Sequence, residues 1–228
     1  MNAIAPLPFL PDAVIFDMDG LMLDSERIIR ECLAQSAADL GAEVEPEYWL
    51  GMVGRDDATC RQMLRTRIGD SDAEALLAHS YALYDAILQD RGIPRRPGIG
   101  ELLELLAARG IPRAVATSSL RERALHKLRM AGLLDYFDTV CTASDVARPK
   151  PAPDVYLLAA GRLQVAPAAC LVLEDSPTGV RAALAAGMTA IQVPDMLAPD
   201  AEVRALGHRI VTSLADAQRL LEARLRAG

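Results

Sequence analysis

Two carboxylates follow a short apolar stretch near the beginning of the chain. The stretch Ala13–Phe16 ends in Asp17, and Asp19 and Gly20 come directly after Met18. Asp-Gly is a common turn dipeptide, so a simple turn is one interpretation. Two acids at the end of a strand can also reach a common point, where a hard cation such as Mg²⁺ would offset their repulsion. The pair therefore indicates either a turn or a metal-assisted reaction.

A second acidic pair follows another apolar stretch. The segment CLVLEDSPTG places Glu174 and Asp175 at the end of a strand-like run, with Ser176 directly after them. One of these acids could cap the next helix, but Ser176 already has the position and the residue type of an N-cap. Two acidic pairs at the ends of two strands of one sheet favour a metal site over a chance arrangement.

Hydroxyl groups and one lysine complete the polar set. Thr117 and Ser118 precede a helical pattern, where hydroxyls and backbone N–H groups can hold a phosphate. Capping of a helix over 120–131, with Ser119 as the cap, is an alternative that is compatible with phosphate binding. Lys150 lies between prolines in RPKPAPDVY and is either a solvated charge or the charge balance for a phosphoryl group.

Together these residue types describe phosphoryl transfer. Asp17 is the candidate nucleophile and would form an aspartyl-phosphate, while Mg²⁺ and Lys150 would neutralise the phosphoryl oxygens. Asp19 would protonate the leaving alkoxide and then activate water. That role needs a proton on Asp19 near neutral pH, and we expect the neighbouring carboxylate to raise its pKa accordingly.

The hydrophobic pattern predicts the elements that position these residues. Short apolar or β-branched stretches predict strands over 13–17, 112–119, 138–144, 170–176, 188–195 and 208–213. Apolar residues three to four apart predict helices over 100–110, 153–163 and 176–187, the second with Pro153 in its first turn. Strands that alternate with helices and are apolar on both faces predict an α/β fold with a Rossmann-like, doubly wound parallel sheet. In such a sheet the polar residues above lie at the carboxyl ends of the strands, where ligands bind.

Residues 25–91 interrupt this alternation. They show helical periodicity without a convincing strand, and 91–97 has the character of a return hinge. We therefore predict a small α-helical cap domain over 25–91. It would be inserted into a core domain formed by 1–24 and 92–228.

Composition limits the classes of partner. The 228 residues include 24 basic and 31 acidic side chains, a net charge of −7, and no basic cluster, which argues against nucleic acid. No apolar stretch approaches the about 18 residues of a membrane span, and the N-terminal residues lack the basic region of a signal peptide. We expect a cytoplasmic protein, a monomer or weak dimer, whose partner is a small phosphorylated metabolite.

The chain resembles the haloacid dehalogenase-like hydrolase superfamily over essentially its whole length. The resemblance rests on four motifs in order, namely Asp17-Met18-Asp19-Gly20, Thr117 after an apolar strand, Lys150 in KPAPDVY, and Glu174-Asp175-Ser176. It implies a Rossmann-like core, and it implies that the helical insert is a cap that closes over the site.

The resemblance also implies a role for each matching residue. Asp17 matches the nucleophile and Asp19 the acid/base, and the phosphate-binding positions are matched by Thr117 and Lys150. The Mg²⁺ ligands that it implies are Asp17, the backbone carbonyl of Asp19 and Asp175, with Glu174 near the metal through water.

Within the superfamily the motifs look closest to phosphatases of phosphoglycolate, sugar phosphates and pseudouridine phosphate. β-Phosphoglucomutase is the alternative, but its cap usually carries a basic-Gly-x-x-Arg stretch and its flap a histidine. Here Arg55 directly follows Gly54, and Ile29 stands near the expected histidine, so both positions count against a mutase. Arg55 is either a substrate contact from the cap or an exposed arginine at the start of a helix.

Two further classes share some of these features. Receiver domains of signalling systems also place acids, a hydroxyl and a lysine around Mg²⁺, but they are about half this length and lack a helical cap. A non-catalytic interaction protein on the same fold would be suggested by loss of Asp19, which is present.

Overall fold

A single parallel sheet forms the centre of the molecule. The computed structural model describes residues 7–52, 55 and 57–227, so 1–6 of the predicted core and Gly54 of the predicted cap lie outside the described residues. The strands are β1 (Ala13–Phe16), β2 (Arg113–Ala116), β3 (Thr139–Cys141), β4 (Cys170–Glu174), β5 (Thr189–Gln192) and β6 (Arg209–Ile210). All neighbours pair in parallel, in the order β3-β2-β1-β4-β5-β6. The predicted α/β fold and all six predicted strands are confirmed.

Helices account for most of the remaining chain. They are α1 (Ser25–Leu40), α2 (Pro46–Leu50), α3 (Asp57–Ile68), α4 (Asp70–Arg91), α5 (Ile99–Ala108), α6 (Arg121–Met130), α7 (Asp154–Leu163), α8 (Pro177–Ala185), α9 (Ala201–Arg204) and α10 (Leu214–Ala227). No helix among the described residues combines the length and the apolar character needed to cross a bilayer.

The two faces of the sheet carry separate apolar cores. Val14 and Phe16 of β1 point into the core that includes buried residues of α5, α6 and α10. Ala13 and Ile15 point to the opposite face, against α7 and α8. Because side chains alternate along a strand, both faces of β1 must be apolar, and all four of its residues are buried.

The order of the strands determines where a ligand can bind. From β1 the chain builds outward through β2 and β3, and then continues on the other side of β1 with β4. The strand order therefore changes direction between β1 and β4. In doubly wound sheets the crevice at the carboxyl ends of these strands is the usual ligand site. Asp17 and the pair Glu174–Asp175 lie at that point.

The segment 25–91, called here the helical insert, contains α1 to α4. It has its own apolar core, which includes Leu33, Trp49 and Leu76. Its helices begin at Ser25 and end at Arg91, where the sequence places the limits of a cap domain, although the division into domains stays a prediction.

The residues that the sequence predicts at the starts of helices were partly correct. Ser176 is the N-cap of α8, and its hydroxyl accepts a hydrogen bond from the Gly179 N–H at 3.0 Å, as predicted. Pro153 is the N-cap of α7 rather than a residue of its first turn. Ser119 does not cap α6, because Leu120 occupies the N-cap position, and the Ser119 hydroxyl donates to Asp19.

Candidate active site

The predicted polar residues meet at one edge of the sheet. They line a cavity of about 160 Å³ between the carboxyl ends of the strands and the helical insert. Members of the predicted set that line it are Asp17, Asp19, Arg55, Thr117, Ser118, Lys150 and Asp175. Glu174 lies beneath them, fully buried.

Lys150 joins the acids that follow β1 and β4. Its ammonium donates to Asp17 Oδ1 at 2.6 Å, to Glu174 Oε1 at 2.7 Å and to the carbonyl of Ala116 at 3.0 Å. Its side chain is only 4% exposed, so this is a buried ion pair and not the solvated charge that the sequence left open. Buried ion pairs need such complete hydrogen bonding to offset their desolvation.

Glu174 is held by more donors than any other acid of the site. Besides Lys150, its Oε1 accepts from the Tyr156 hydroxyl at 2.9 Å, and its Oε2 accepts from the backbone N–H and hydroxyl of Ser176 at 2.8 and 3.0 Å. The absence of a side chain at Gly179 makes room for it, since a Cβ there would lie 1.5 Å from Oε1. Burial opposes the charge of Glu174, but Lys150 and these donors outweigh it and lower the pKa of Glu174.

Asp17, Glu174 and Asp175 form a compact group of oxygen ligands. One ligand atom from each lies within 4.8 Å of the others, and all three residues are buried. Gly20 lets Asp175 approach, because a Cβ there would be 2.3 Å from Asp175 Oδ2. Three carboxylates share a single ammonium, so the group has an excess of negative charge. Carboxylate oxygens in this number fit a hard divalent cation.

The protonation of the group reflects this excess. Burial raises the pKa of Asp17 well above its usual range, against the opposite effect of Lys150, and Glu174 raises it further. Burial, followed by the charges of Glu174 and Asp17, also raises the pKa of Asp175 far above the usual value. Without a cation both acids therefore favour the protonated form, and a divalent cation would compete with those protons.

Asp19 has a different environment from Asp17. Its Oδ1 accepts from the Ser25 hydroxyl at 2.5 Å and from the Lys127 ammonium at 2.7 Å, and its Oδ2 accepts from the Ser119 hydroxyl at 2.7 Å. Burial opposes ionisation, but Lys127 and the two serines outweigh it, so the pKa of Asp19 is lowered. The expectation that the neighbouring carboxylate raises this pKa was wrong, because a cation on α6 contacts Asp19 directly.

The loop after β2 presents hydroxyls to the cavity. Thr117 is buried, and its Oγ1 accepts a hydrogen bond from the Ser119 N–H at 3.1 Å. Ser118 and Ser119 also line the cavity. This loop precedes α6, so its hydroxyls lie close to the N-terminus of a helix, which suits an anion.

The helical insert forms the opposite wall of the cavity. Arg55 and Ile29 both line it, and the Arg55 Nε donates to the Gly51 carbonyl at 2.6 Å. Much of the remaining wall is apolar or aromatic and includes Leu33, Trp49 and Tyr81.

Sequence reasoning missed the contacts that Ser25, Ser119 and Lys127 make with Asp19. It also missed Arg123, which lines the cavity and lies over the Tyr81 ring at 3.6 Å. The helical spacing of 123 and 127 places both cations on one side of α6, facing the insert. One signal could have revealed Lys127: the chain contains only two lysines, and Lys150 is the other.

Comparisons with known proteins agree with this arrangement. The family model described as haloacid dehalogenase-like hydrolase matches residues 14–193. A phosphorylated carbohydrates phosphatase of Thermotoga maritima is 30% identical over 217 residues, covering 93% of this chain and 91% of the relative. The fructose-1-phosphate phosphatase of Escherichia coli is 34% identical over 181 residues, or 79% of this chain and 95% of that enzyme. A haloacid dehalogenase-family hydrolase of Deinococcus radiodurans, solved with bound phosphate and sodium, is similar with a TM-score of 0.73 and 33% identity, covering 92% of this chain and 93% of the other.

Proposed function

Because the chain belongs to the haloacid dehalogenase-like hydrolase family, we propose that it is a Mg²⁺-dependent phosphatase that cleaves a small phosphomonoester through an aspartyl-phosphate on Asp17. The observation that carries the proposal is the buried group formed by Asp17, Glu174 and Asp175 around Lys150, directly beneath a cavity lined by hydroxyls. A buried lysine, a nucleophilic carboxylate and clustered acids are the parts that phosphoryl transfer requires.

In this mechanism Asp17 is the nucleophile and Asp19 is the general acid and base. A carboxylate oxygen of Asp17 forms a bond to phosphorus while the bond from phosphorus to the ester oxygen breaks, and Asp19 gives a proton to the leaving alkoxide. Asp19 then accepts a proton from water, whose oxygen attacks the phosphorus and releases Asp17 and inorganic phosphate. The ionised form of Asp19 suits this second step. A bound phosphate dianion adds negative charge beside Asp19 and raises its pKa toward the value that the first step needs.

The remaining site residues bind the phosphate and the metal. Thr117, Ser118 and Lys150 are the proposed phosphate ligands, and Lys150 also holds Asp17 in place. Asp17, Glu174, Asp175 and the backbone carbonyl of Asp19 are the proposed surroundings of Mg²⁺. When bound, Mg²⁺ supplies positive charge that neutralises the phosphoryl oxygens.

The helical insert acts as the cap in this proposal and determines the substrate. The cavity of about 160 Å³ is small compared with the ~300–1,000 Å³ of typical ligand pockets, which favours a compact leaving group. The names of the two curated relatives support a sugar phosphate or a similar small ester. Arg55 is the proposed contact from the insert.

A phosphosugar mutase remains the alternative reaction on this site. It would transfer the phosphoryl group from Asp17 back to a sugar instead of to water. Ile29 lines the cavity near the position where the resemblance places a histidine in the mutase, so this wall offers an aliphatic side chain there. Location in the cytoplasm and the monomeric or weakly dimeric state stay predictions.

The deciding experiment measures phosphate release from a panel of sugar phosphates, phosphoglycolate and nucleoside monophosphates, with Mg²⁺ and with EDTA. We expect release from at least one class of ester with Mg²⁺ and its loss with EDTA. We expect Asp17→Asn to abolish release and the exposed control Asp90→Asn to keep it, because only Asp17 reacts with phosphorus.

Other outcomes separate the alternatives. Glucose 6-phosphate formed from β-glucose 1-phosphate and a bisphosphate activator, with little free phosphate, would identify a mutase. Full activity of Asp17→Asn would overturn the assignment of the nucleophile, and unchanged release in EDTA would overturn the requirement for a metal.

A further inference from the structure

Each of the two lysines of this chain contacts one of the two aspartates that are proposed to carry the reaction. All other cationic side chains among the 24 basic residues are arginines. Lys150 contacts Asp17 at 2.6 Å, and Lys127 contacts Asp19 at 2.7 Å. Each of the two acids proposed to carry the reaction therefore has its own lysine, one from the segment before α7 and one from α6.

Lys127 binds Asp19 in a partly enclosed position. Its side chain is 14% exposed, and its ammonium lies 5.7 Å from the centre of the Tyr84 ring. Tyr84 belongs to α4 of the helical insert and is itself buried. The insert thus covers the Lys127–Asp19 pair on the side that would otherwise face solvent, which strengthens the attraction between the two charges.

The three donors around Asp19 make different contributions. Ser25 and Ser119 are neutral, and their hydroxyls can rotate to other acceptors. Lys127 is the charged donor among these three, and it shares Oδ1 with Ser25 while Ser119 binds Oδ2. A lysine ammonium is a compact point charge on a flexible stem, whereas a guanidinium is a planar fork that binds both oxygens of a carboxylate. A single ammonium on Oδ1 therefore orients Asp19 without enclosing the whole carboxylate.

We infer that Lys127 is a positioning residue that holds the Asp19 carboxylate at the leaving-group side of the cavity, away from the acids around Lys150. The inference rests on the proposed phosphatase function and extends it to a residue outside the four motifs. Lys127 acts through Asp19, and its ammonium lies beneath Tyr84 of the insert at 5.7 Å from the ring centre.

A role in positioning the general acid can be tested by comparing substrates with different leaving groups. A poor leaving group, such as an alkoxide, needs the proton from Asp19, whereas p-nitrophenolate leaves without one. Loss of a residue that positions the acid should therefore slow the departure of an alkoxide selectively. This step is measured by kcat/KM, because the later attack of water on the aspartyl-phosphate is the same for every ester and enters only kcat. Loss of a residue that only supports the fold or binds phosphate should slow both kinds of ester equally.

The experiment compares Lys127→Met with the wild-type protein on an alkyl phosphate found active in the panel and on p-nitrophenyl phosphate, both with Mg²⁺. We expect kcat/KM on the alkyl ester to fall by about 10- to 100-fold, a fraction of the ~10²–10⁴ that general acid–base catalysis supplies, with KM changed less than about threefold. On p-nitrophenyl phosphate we expect kcat/KM to fall less than about threefold.

Arg129→Met is the matched control, because it removes one positive charge from an exposed position of the same helix. The Arg129→Met variant should cleave both esters with the kinetic constants of the wild-type protein. If Lys127→Met unfolds, Lys127→Gln replaces it, and the same selective loss on the alkyl ester is expected.

If the wild-type protein is active, equal losses of kcat/KM on the two esters in Lys127→Met, or no loss on either, would overturn this inference and leave the phosphatase function intact. An effect confined to KM would also overturn it, since Lys127 would then bind substrate. Wild-type protein that releases phosphate from no ester would remove the proposed function and this inference together.

Discussion

At the scale of single residues, the site is defined by three buried carboxyl groups that share one cation. Asp17, Glu174 and Asp175 are buried together with one cation, Lys150. Removal of one partner from a buried ion pair is costly because the remaining charge has lost its compensation. Lys150 is therefore required for the stability of the metal-free protein as well as for the proposed chemistry.

We expect Lys150→Met to lower the free energy of unfolding in EDTA by about 3–5 kcal/mol, because it leaves the ionised Glu174 carboxylate buried without a cation. Saturating Mg²⁺ should recover part of this loss, since a ligand that binds only the folded state stabilises it. Urea unfolding with EDTA and with Mg²⁺ measures both effects.

Arg91→Met is the control for this measurement, because Arg91 is 79% exposed and its removal should cost less than about 0.5 kcal/mol. A loss from Lys150→Met below about 1 kcal/mol in EDTA would contradict the assigned role of Lys150.

The residues that could be predicted from sequence are those whose neighbours in the chain give the signal. Asp17 and Glu174 each end an apolar strand, so their position at the sheet edge follows from the pattern alone. Lys127 has no such neighbour, because it lies in a helix and reaches Asp19 across 108 positions of sequence. For the same reason the sequence suggested the wrong direction for the pKa of Asp19, whose largest stabilising partner is Lys127.

At the scale of elements, the strands could be predicted more securely than the ends of the helices. Buried parallel strands are continuous apolar stretches, and all six were recognised. The start of α6 was predicted less well. Ser119 has the residue type of an N-cap, but Leu120 occupies that position, and the Ser119 hydroxyl donates to the Asp19 carboxylate at 2.7 Å. Such a contact between distant parts of the chain cannot be read from local sequence.

Asp145 shows how one side chain connects several elements. It lies after β3, and its Oδ2 accepts from the backbone N–H and the hydroxyl of Thr142 at 2.8 and 2.7 Å. Both of its oxygens also accept from Arg121 at the start of α6, at 2.6 and 2.5 Å. Burial opposes the charge, but Arg121 and Thr142 outweigh it and lower the pKa of Asp145 from 3.8 to about 2.

We expect Asp145→Asn to destabilise the protein near neutral pH by about 1–3 kcal/mol, the range for hydrogen bonds to charged groups. The pKa of Asp145 is lower in the folded than in the unfolded chain. The ionised carboxylate therefore contributes its full stabilisation to the folded state above about pH 4, and this contribution is lost as the pH falls toward about 2. Unfolding free energies of wild type and variant should therefore converge over that window. A difference that stays constant down to pH 2.5 would show that the charge of Asp145 does not contribute.

At the scale of the whole molecule, one carboxylate ties the helical insert to the sheet. Asp195 follows β5, and its Oδ1 accepts a hydrogen bond from Arg27 of α1 at 2.8 Å and forms an ion pair with Arg96 of the returning segment, also at 2.8 Å. Its side chain is only 1% exposed, whereas both arginines reach solvent. Asp195 therefore fixes the two points at which the chain enters and leaves the insert.

We expect Asp195→Asn to lower the unfolding free energy by about 1–3 kcal/mol, because the hydrogen bond from Arg27 and the ion pair with Arg96 lose their anionic partner. It should also speed tryptic cleavage after Arg91 and Arg95, since the returning segment is held less firmly. Limited proteolysis followed by mass spectrometry measures this rate. Asp135→Asn, at an exposed position of the core, is the control, and equal cleavage of both variants would contradict the proposed tie.

The entry and exit of the insert have a consequence for how such a protein can change. Leu23 pairs with Arg95, Asp24 N–H donates to the Pro94 carbonyl at 2.9 Å, and Arg96 N–H donates to the Met22 carbonyl at 2.8 Å. The two ends of the insert therefore lie side by side, which is the geometry in which one domain tolerates insertion into another. The sheet is complete without the insert, so the insert can lengthen, shrink or be exchanged as a module. Evolution can then change the substrate that the insert recognises while the reacting residues at the edge of the sheet stay the same.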